Sequence, residues 1–152
     1  MWMRIFGKSD RCPTSTVLAE ALESSACTLQ LACEPTNDDW RHIEVLVREQ
    51  ETPIYLDRFH RTDEGIRGEL QAWAAWLETC DYSPNHQSLM THMIETQQVF
   101  TVRKPVDCAN EVLIDNVSVA ICQFLAQAAD GIYQIDGKGF FAPDGTMLLQ
   151  EF

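Results

Sequence analysis

Two runs decide the fold: Trp40-Arg41-His42-Ile43-Glu44-Val45-Leu46-Val47-Arg48 and Ile54-Tyr55-Leu56-Asp57-Arg58-Phe59-His60. In the first, Ile43, Val45 and Val47 alternate with His42, Glu44 and Arg48. That period of two places one side of a strand in a core and the other in water. Thr52-Pro53 breaks the chain before the second run begins at Ile54. A connection this short favours antiparallel neighbours, because a parallel pair needs a crossover of about a dozen residues or more. Upstream, Leu29, Leu31 and Cys33 alternate with Thr28, Gln30 and Ala32, and Glu34-Pro35-Thr36-Asn37-Asp38-Asp39 supplies turn chemistry. The three strands read as one antiparallel meander.

Working outward, Met3–Phe6 reads as a short first strand, and Cys12-Pro13-Thr14-Ser15-Thr16 as the turn and cap of a helix running to about residue 24. Downstream, Thr62-Asp63 predicts the cap of a helix whose Ile66, Leu70, Trp73 and Leu77 share one face. Trp76 widens that stripe, and the tryptophan pair reads first as core. Ser83-Pro84 predicts the next helix start, with Leu89, Met90, Met93 and Ile94 as its apolar side. Gln98–Arg103 reads as a strand, and Glu111–Ala129 as the longest helix, with Leu113, Val117, Ile121, Phe124 and Ala128 inward. Asp-Gly pairs at 130–131, 136–137 and 144–145 then predict a small hairpin or three-stranded meander. Regular βαβ alternation is missing, so the expected class is α+β. The expected architecture is one domain over residues 1–152, with a largely antiparallel sheet packed against about four helices.

Composition narrows the function classes. The chain has 152 residues, with 23 Asp and Glu against 11 Lys and Arg, for a formal net charge of −12. Half of that imbalance falls in residues 105–152, where Lys138 is the single basic side chain. Nucleic-acid binders neutralise phosphates with clustered Lys and Arg, and anionic lipid surfaces ask for the same, so neither partner is expected. The N-terminal run Met1–Lys8 is too soon interrupted by charge to read as a signal peptide, and no stretch of 18 apolar residues occurs. Six cysteines without a Cys-x-x-Cys pair read as thiols in a cytoplasmic protein.

The candidate chemistry is sparse. His42 and His60 lie on strands that can neighbour one another and, with Glu44 or Asp57, form the metal-ligand candidate. Cys80 with His86 is the nucleophile–base candidate, although Glu78 and Asp81 oppose a lowered thiol pKa. The glycines of 130–141 fit hairpin turns better than a phosphate or calcium loop, since the required ligand spacing is missing. No cofactor is expected. Phe140-Phe141 must place one ring on each side of its strand, so Tyr133, Asp136, Phe140 and Phe141 form the candidate interaction surface.

Two stretches, Glu64 through Glu78 and Gly131 through Leu149, resemble segments of small bacterial α+β proteins with no assigned activity. A looser similarity is to acidic immunity proteins that neutralise toxin domains, in which a late helix runs into a Gly-rich hairpin. The resemblance implies a compact stand-alone domain, transfers no catalytic residue, and points by analogy to protein binding. The leading expectation is a non-catalytic acidic module or inhibitor that binds a basic protein. The alternatives are a small hydrolase-like enzyme using one of the sites above, and a structural or ligand-binding homodimer.

Overall fold

The computed structural model describes residues 1–23, 29–34, 39–48 and 50–152. In chain order the elements are β1 (Trp2–Gly7), α1 (Ser15–Glu23), β2 (Leu29–Glu34), β3 (His42–Val47), β4 (Ile54–His60), α2 (Ile66–Glu78), α3 (His86–Glu95), β5 (Gln98–Arg103), α4 (Glu111–Ala128), β6 (Gly131–Ile135), β7 (Gly139–Phe141) and β8 (Met147–Gln150). All eight strands join one antiparallel sheet in the order β2-β3-β4-β5-β1-β6-β7-β8. The expected α+β class, the four helices and both meanders are present. The turn expected over residues 34–39 lies, between its ends, outside the described residues.

The sheet is covered on both faces. On one face α1 and α4 bury Leu18, Leu22, Ile114, Val117, Ile121 and Leu125 against Met3, Ile5, Leu56, Phe100 and Tyr133. On the other face α2 and α3 bury Ile66, Leu70, Leu77, Leu89 and Met93 against Phe6, Val99, Ile132, Phe140 and Leu149. Successive residues of β1 show the division: Ile5 belongs to the first core and Phe6 to the second. A sheet buried twice explains why β6 is buried along its whole length. The helix α4 is long and apolar enough to equal a membrane span, and here its apolar side forms the middle of the first core.

Two helix starts differ from expectation. Asp63 does not cap α2; its carboxylate accepts from the His60 N–H at 2.7 Å and from Arg41 at 2.7 Å. Gly65, at φ 83°, is the capping residue instead. Ser83 likewise precedes its helix: the hydroxyl accepts from Asn85 N–H at 3.2 Å and donates to the Leu148 carbonyl, so α3 begins at His86. In both places a side chain that suits a cap is held by the strand or loop packed against it. The inward side of α4 also sits one position over, centred on Ile114, Ser118 and Leu125, with Leu113 and Phe124 half-buried.

Candidate functional site

The helix α2 has more apolar surface than the sheet below it can cover. Ile66, Leu70 and Leu77 are buried, whereas Trp73 and Trp76, on the side toward β7, are only half-buried. Phe140 is the floor beneath both indoles. Trp73 meets it edge-on at 5.5 Å between ring centroids, and Trp76 stacks over it at 6.1 Å. The two indoles stand perpendicular, 5.7 Å apart, and Trp73 also meets Phe6 edge-on. Such edge-to-face packing fixes ring orientation as well as burying area.

These indoles line an open cavity of about 500 Å³, completed by Glu69, Ala72, Gly137, Glu151 and Phe152. The Asp136-Gly137 turn between β6 and β7 brings the hairpin to its rim. Glu151 is held in place by the Gly137 N–H at 2.8 Å and by the Gln134 side-chain amide at 3.0 Å. Glu69 pairs with Arg4 Nε at 3.3 Å, and Arg4 Nη1 reaches Asp136 at 2.6 Å. The Arg4 guanidinium lies 5.4 Å from the Trp73 ring centroid, so one arginine joins helix, first strand and hairpin. Burial raises the Asp136 carboxyl, but hydrogen bonds from Arg4 and Gln134, the Arg4 charge and the Trp2 N–H outweigh it and hold the group below the usual range.

On the other side of α2 a second groove, of about 540 Å³, runs over the uncovered part of the same sheet face. Its charged centre is Arg103, whose guanidinium lies between the Trp2 ring at 5.3 Å and the Tyr55 ring at 5.1 Å. Arg103 reaches Asp57 at 3.4 Å, and Asp57 holds His42 Nδ1 at 2.6 Å. The sequence candidates His42, Asp57 and Glu44 are therefore neighbours, because register pairs His42 with Asp57. The carboxylates engage opposite sides of the imidazole, Asp57 at Nδ1 and Glu44 3.6 Å from Nε2.

His60 does not join them. It lies three residues beyond Asp57, an odd step that turns it to the opposite sheet face, where its Nε2 is 4.0 Å from Asp39. Burial and the charges of Arg41 and Arg58 lower its pKa. Among the described residues, no group of three His, Cys, Asp or Glu side chains converges as a metal site.

Cys80 and His86 are not a pair. The Cys80 thiol is buried against the Trp76 carbonyl at 3.5 Å, while His86 Nδ1 donates to the Ser83 carbonyl at 2.8 Å. The Tyr82 hydroxyl donates to the Gln150 carbonyl at 2.8 Å, and the Cys80 thiol, followed by burial, raises its pKa.

The expected aromatic surface is corrected as well. Tyr133 is 2% exposed and Phe140 is 0% exposed, because helices cover both faces of the sheet. Burial raises the Tyr133 hydroxyl pKa. Phe141 is half-buried, stacked on Tyr133 at 5.2 Å. Asp136 lies at the turn beside the cavity, its half-exposed side chain paired with Arg4. The rings that line the cavity between α2 and the hairpin are Trp73, Trp76 and Phe152; the first two were legible as a helical pair, but nothing in their spacing distinguished a cavity wall from core. No protein-family model matches the chain, and no curated protein or solved structure matches it either.

Proposed function

We propose that the protein is a non-catalytic interaction module that binds a basic protein through the face shared by α2 and the β6–β7 turn. The observation that carries this reading is the cavity with an apolar floor of indoles and a rim of Glu69 and Glu151, on a chain of net charge −12. Large aromatics dominate binding energy at interfaces, and the surrounding charge steers encounter and selects partner sign. Phe140 acts beneath this surface as its support, while Tyr133 and Phe141 pack on the opposite face of the sheet, and Asp136 fixes Arg4 beside it.

The test uses poly-L-lysine immobilised as a generic basic polypeptide. Capture should weaken as salt rises from about 50 to about 300 mM, as screening shortens the reach of the acidic field. Glu69→Gln with Glu151→Gln should weaken it more than Glu20→Gln with Glu23→Gln, which removes the same charge from exposed positions on α1, on the other side of the sheet. Equal losses would mean that net charge alone drives capture, and no capture at low salt would end the reading.

A further inference from the structure

We propose that the cavity walled by Trp73 and Trp76 is a receptor for an arginine side chain presented by the partner; this rests on the interaction reading above and names the chemistry it selects. Three observations point to a planar cation. The indoles touch edge to face at 87°, so a group seated in the corner they form meets the face of one ring and the edge of the other. A ring face attracts a cation. Carboxylates from Glu69 and Glu151 line the same space, and an ionised carboxylate has about four acceptor positions. Arg4 takes one at Glu69, and the Gln134 amide and Gly137 N–H take two at Glu151. Both groups keep capacity for a further donor.

The third observation is internal. Arg4 already satisfies the same recipe from the adjoining side: its guanidinium lies 5.4 Å from the Trp73 ring centroid while pairing with Glu69 and Asp136. The wall of the cavity thus tolerates a guanidinium stacked on indole and bonded to carboxylate. A cavity of about 500 Å³ has room for a second one with its aliphatic stem. Arginine is favoured over lysine because its flat, weakly hydrated fork stacks on an aromatic ring and reaches two acceptors at once, whereas an ammonium is a compact and strongly hydrated charge. An anion meets two carboxylates here, and an uncharged apolar group leaves their remaining acceptor positions unused.

The experiment titrates the intact protein with the peptide acetyl-Gly-Gly-Arg-Gly-Gly-amide and with its lysine and citrulline counterparts, following the four indole N–H signals by NMR. Citrulline keeps the shape and removes the charge. The arginine peptide should shift the Trp73 and Trp76 signals saturably, with the citrulline peptide about tenfold weaker and the lysine peptide between them. Glu69→Gln with Glu151→Gln should weaken arginine binding by about fivefold to tenfold while the spectrum stays folded; Trp76→Leu should abolish it. Equal binding of arginine and citrulline, equal binding of arginine and lysine, or shifts confined to Trp2 and Trp40 would each overturn the proposal. Those results together with site-dependent poly-lysine capture would leave the interaction surface standing without its arginine receptor. Loss of capture as well would remove both.

Discussion

Replacing Arg58 by Met tests which part of a buried charge network holds the sheet to the segment before α1. Arg58 is 3% exposed. Its Nε donates to Gln98 Oε1 at 2.8 Å, Nη1 to Asp39 at 2.5 Å and Nη2 to the Asp10 carbonyl at 3.3 Å. Gln98 in turn donates to the carbonyls of Ser9 at 2.6 Å and Arg11 at 2.7 Å. The ion pair looks like the strong contact, but Asp39 is 71% exposed, and water takes over when the arginine goes. Gln98 is fully buried, so its amide oxygen is left without a donor. An orphaned buried acceptor costs about 1–3 kcal/mol, and the Asp10 carbonyl loses its own donor as well, so Arg58→Met should cost about 2–4 kcal/mol. For a chain of this length that lowers Tm by about 5–15 °C. Urea unfolding followed by far-UV circular dichroism measures it, with Asp39→Asn and Gln98→Met alongside. Asp39→Asn should cost a small fraction of the Arg58 loss, and the Arg58–Gln98 double variant less than the sum of its singles. A loss below about 1 kcal/mol for Arg58→Met, or an equal loss for Asp39→Asn, would refute the ranking.

Two glycine substitutions should have opposite signs: Gly139→Ala, at φ +134° with its new methyl against the Leu149 carbonyl, should lose a few kcal/mol, while Gly68→Ala, in open space inside α2, should gain about 0.5–1 kcal/mol by the same urea assay. Burial lowers the His92 pKa, with the charge of Lys8 adding to it, and this outweighs the hydrogen bond to the Phe6 carbonyl. Its contribution to stability should be complete above the unfolded value of about 6.5 and be lost as pH falls from there through the lower folded value; His92→Gln should flatten the urea midpoint between about pH 7.5 and 5.5, and an unchanged slope would count against it. Burial pushes the Cys122 thiol far above its ordinary pKa, so a thiol reagent should label it only on unfolding, as peptide mass mapping with and without urea will show. Labelling in the native protein at the rate of an exposed thiol would contradict its burial.

Much of the architecture was local enough to read. The alternation of Ile43, Val45 and Val47 is repeated in their complete burial, and the Pro53 break marks the join of two antiparallel neighbours. Asp130-Gly131 marks the passage from α4 into β6, and the pairs at Gly137 and Gly145 separate β6 from β7 and β7 from β8. Side-chain surroundings were less legible. His42 and Asp57 meet because their strands pair in one register, while His60 leaves the group by strand parity once that register is known. Phe140 was expected on one face and Phe141 on the other, and they are; the strand pattern carried no information on what covers each face.

The sequence by itself determined the element types, the antiparallel character of the two meanders and the acidic balance, because hydrophobic period, turn residues and charge are local properties. Only the tertiary structure decided that β1 is inserted between β5 and β6, with Ile5 opposite Phe100 on one side and Tyr133 on the other. That insertion makes a single sheet with helices on both sides. It buries Tyr133 and Phe140, and it brings Arg4 beside Glu69, Trp73 and Asp136. The physical reason is that contacts between residues far apart in the chain depend on which faces can be buried together, and no short window of sequence contains both partners.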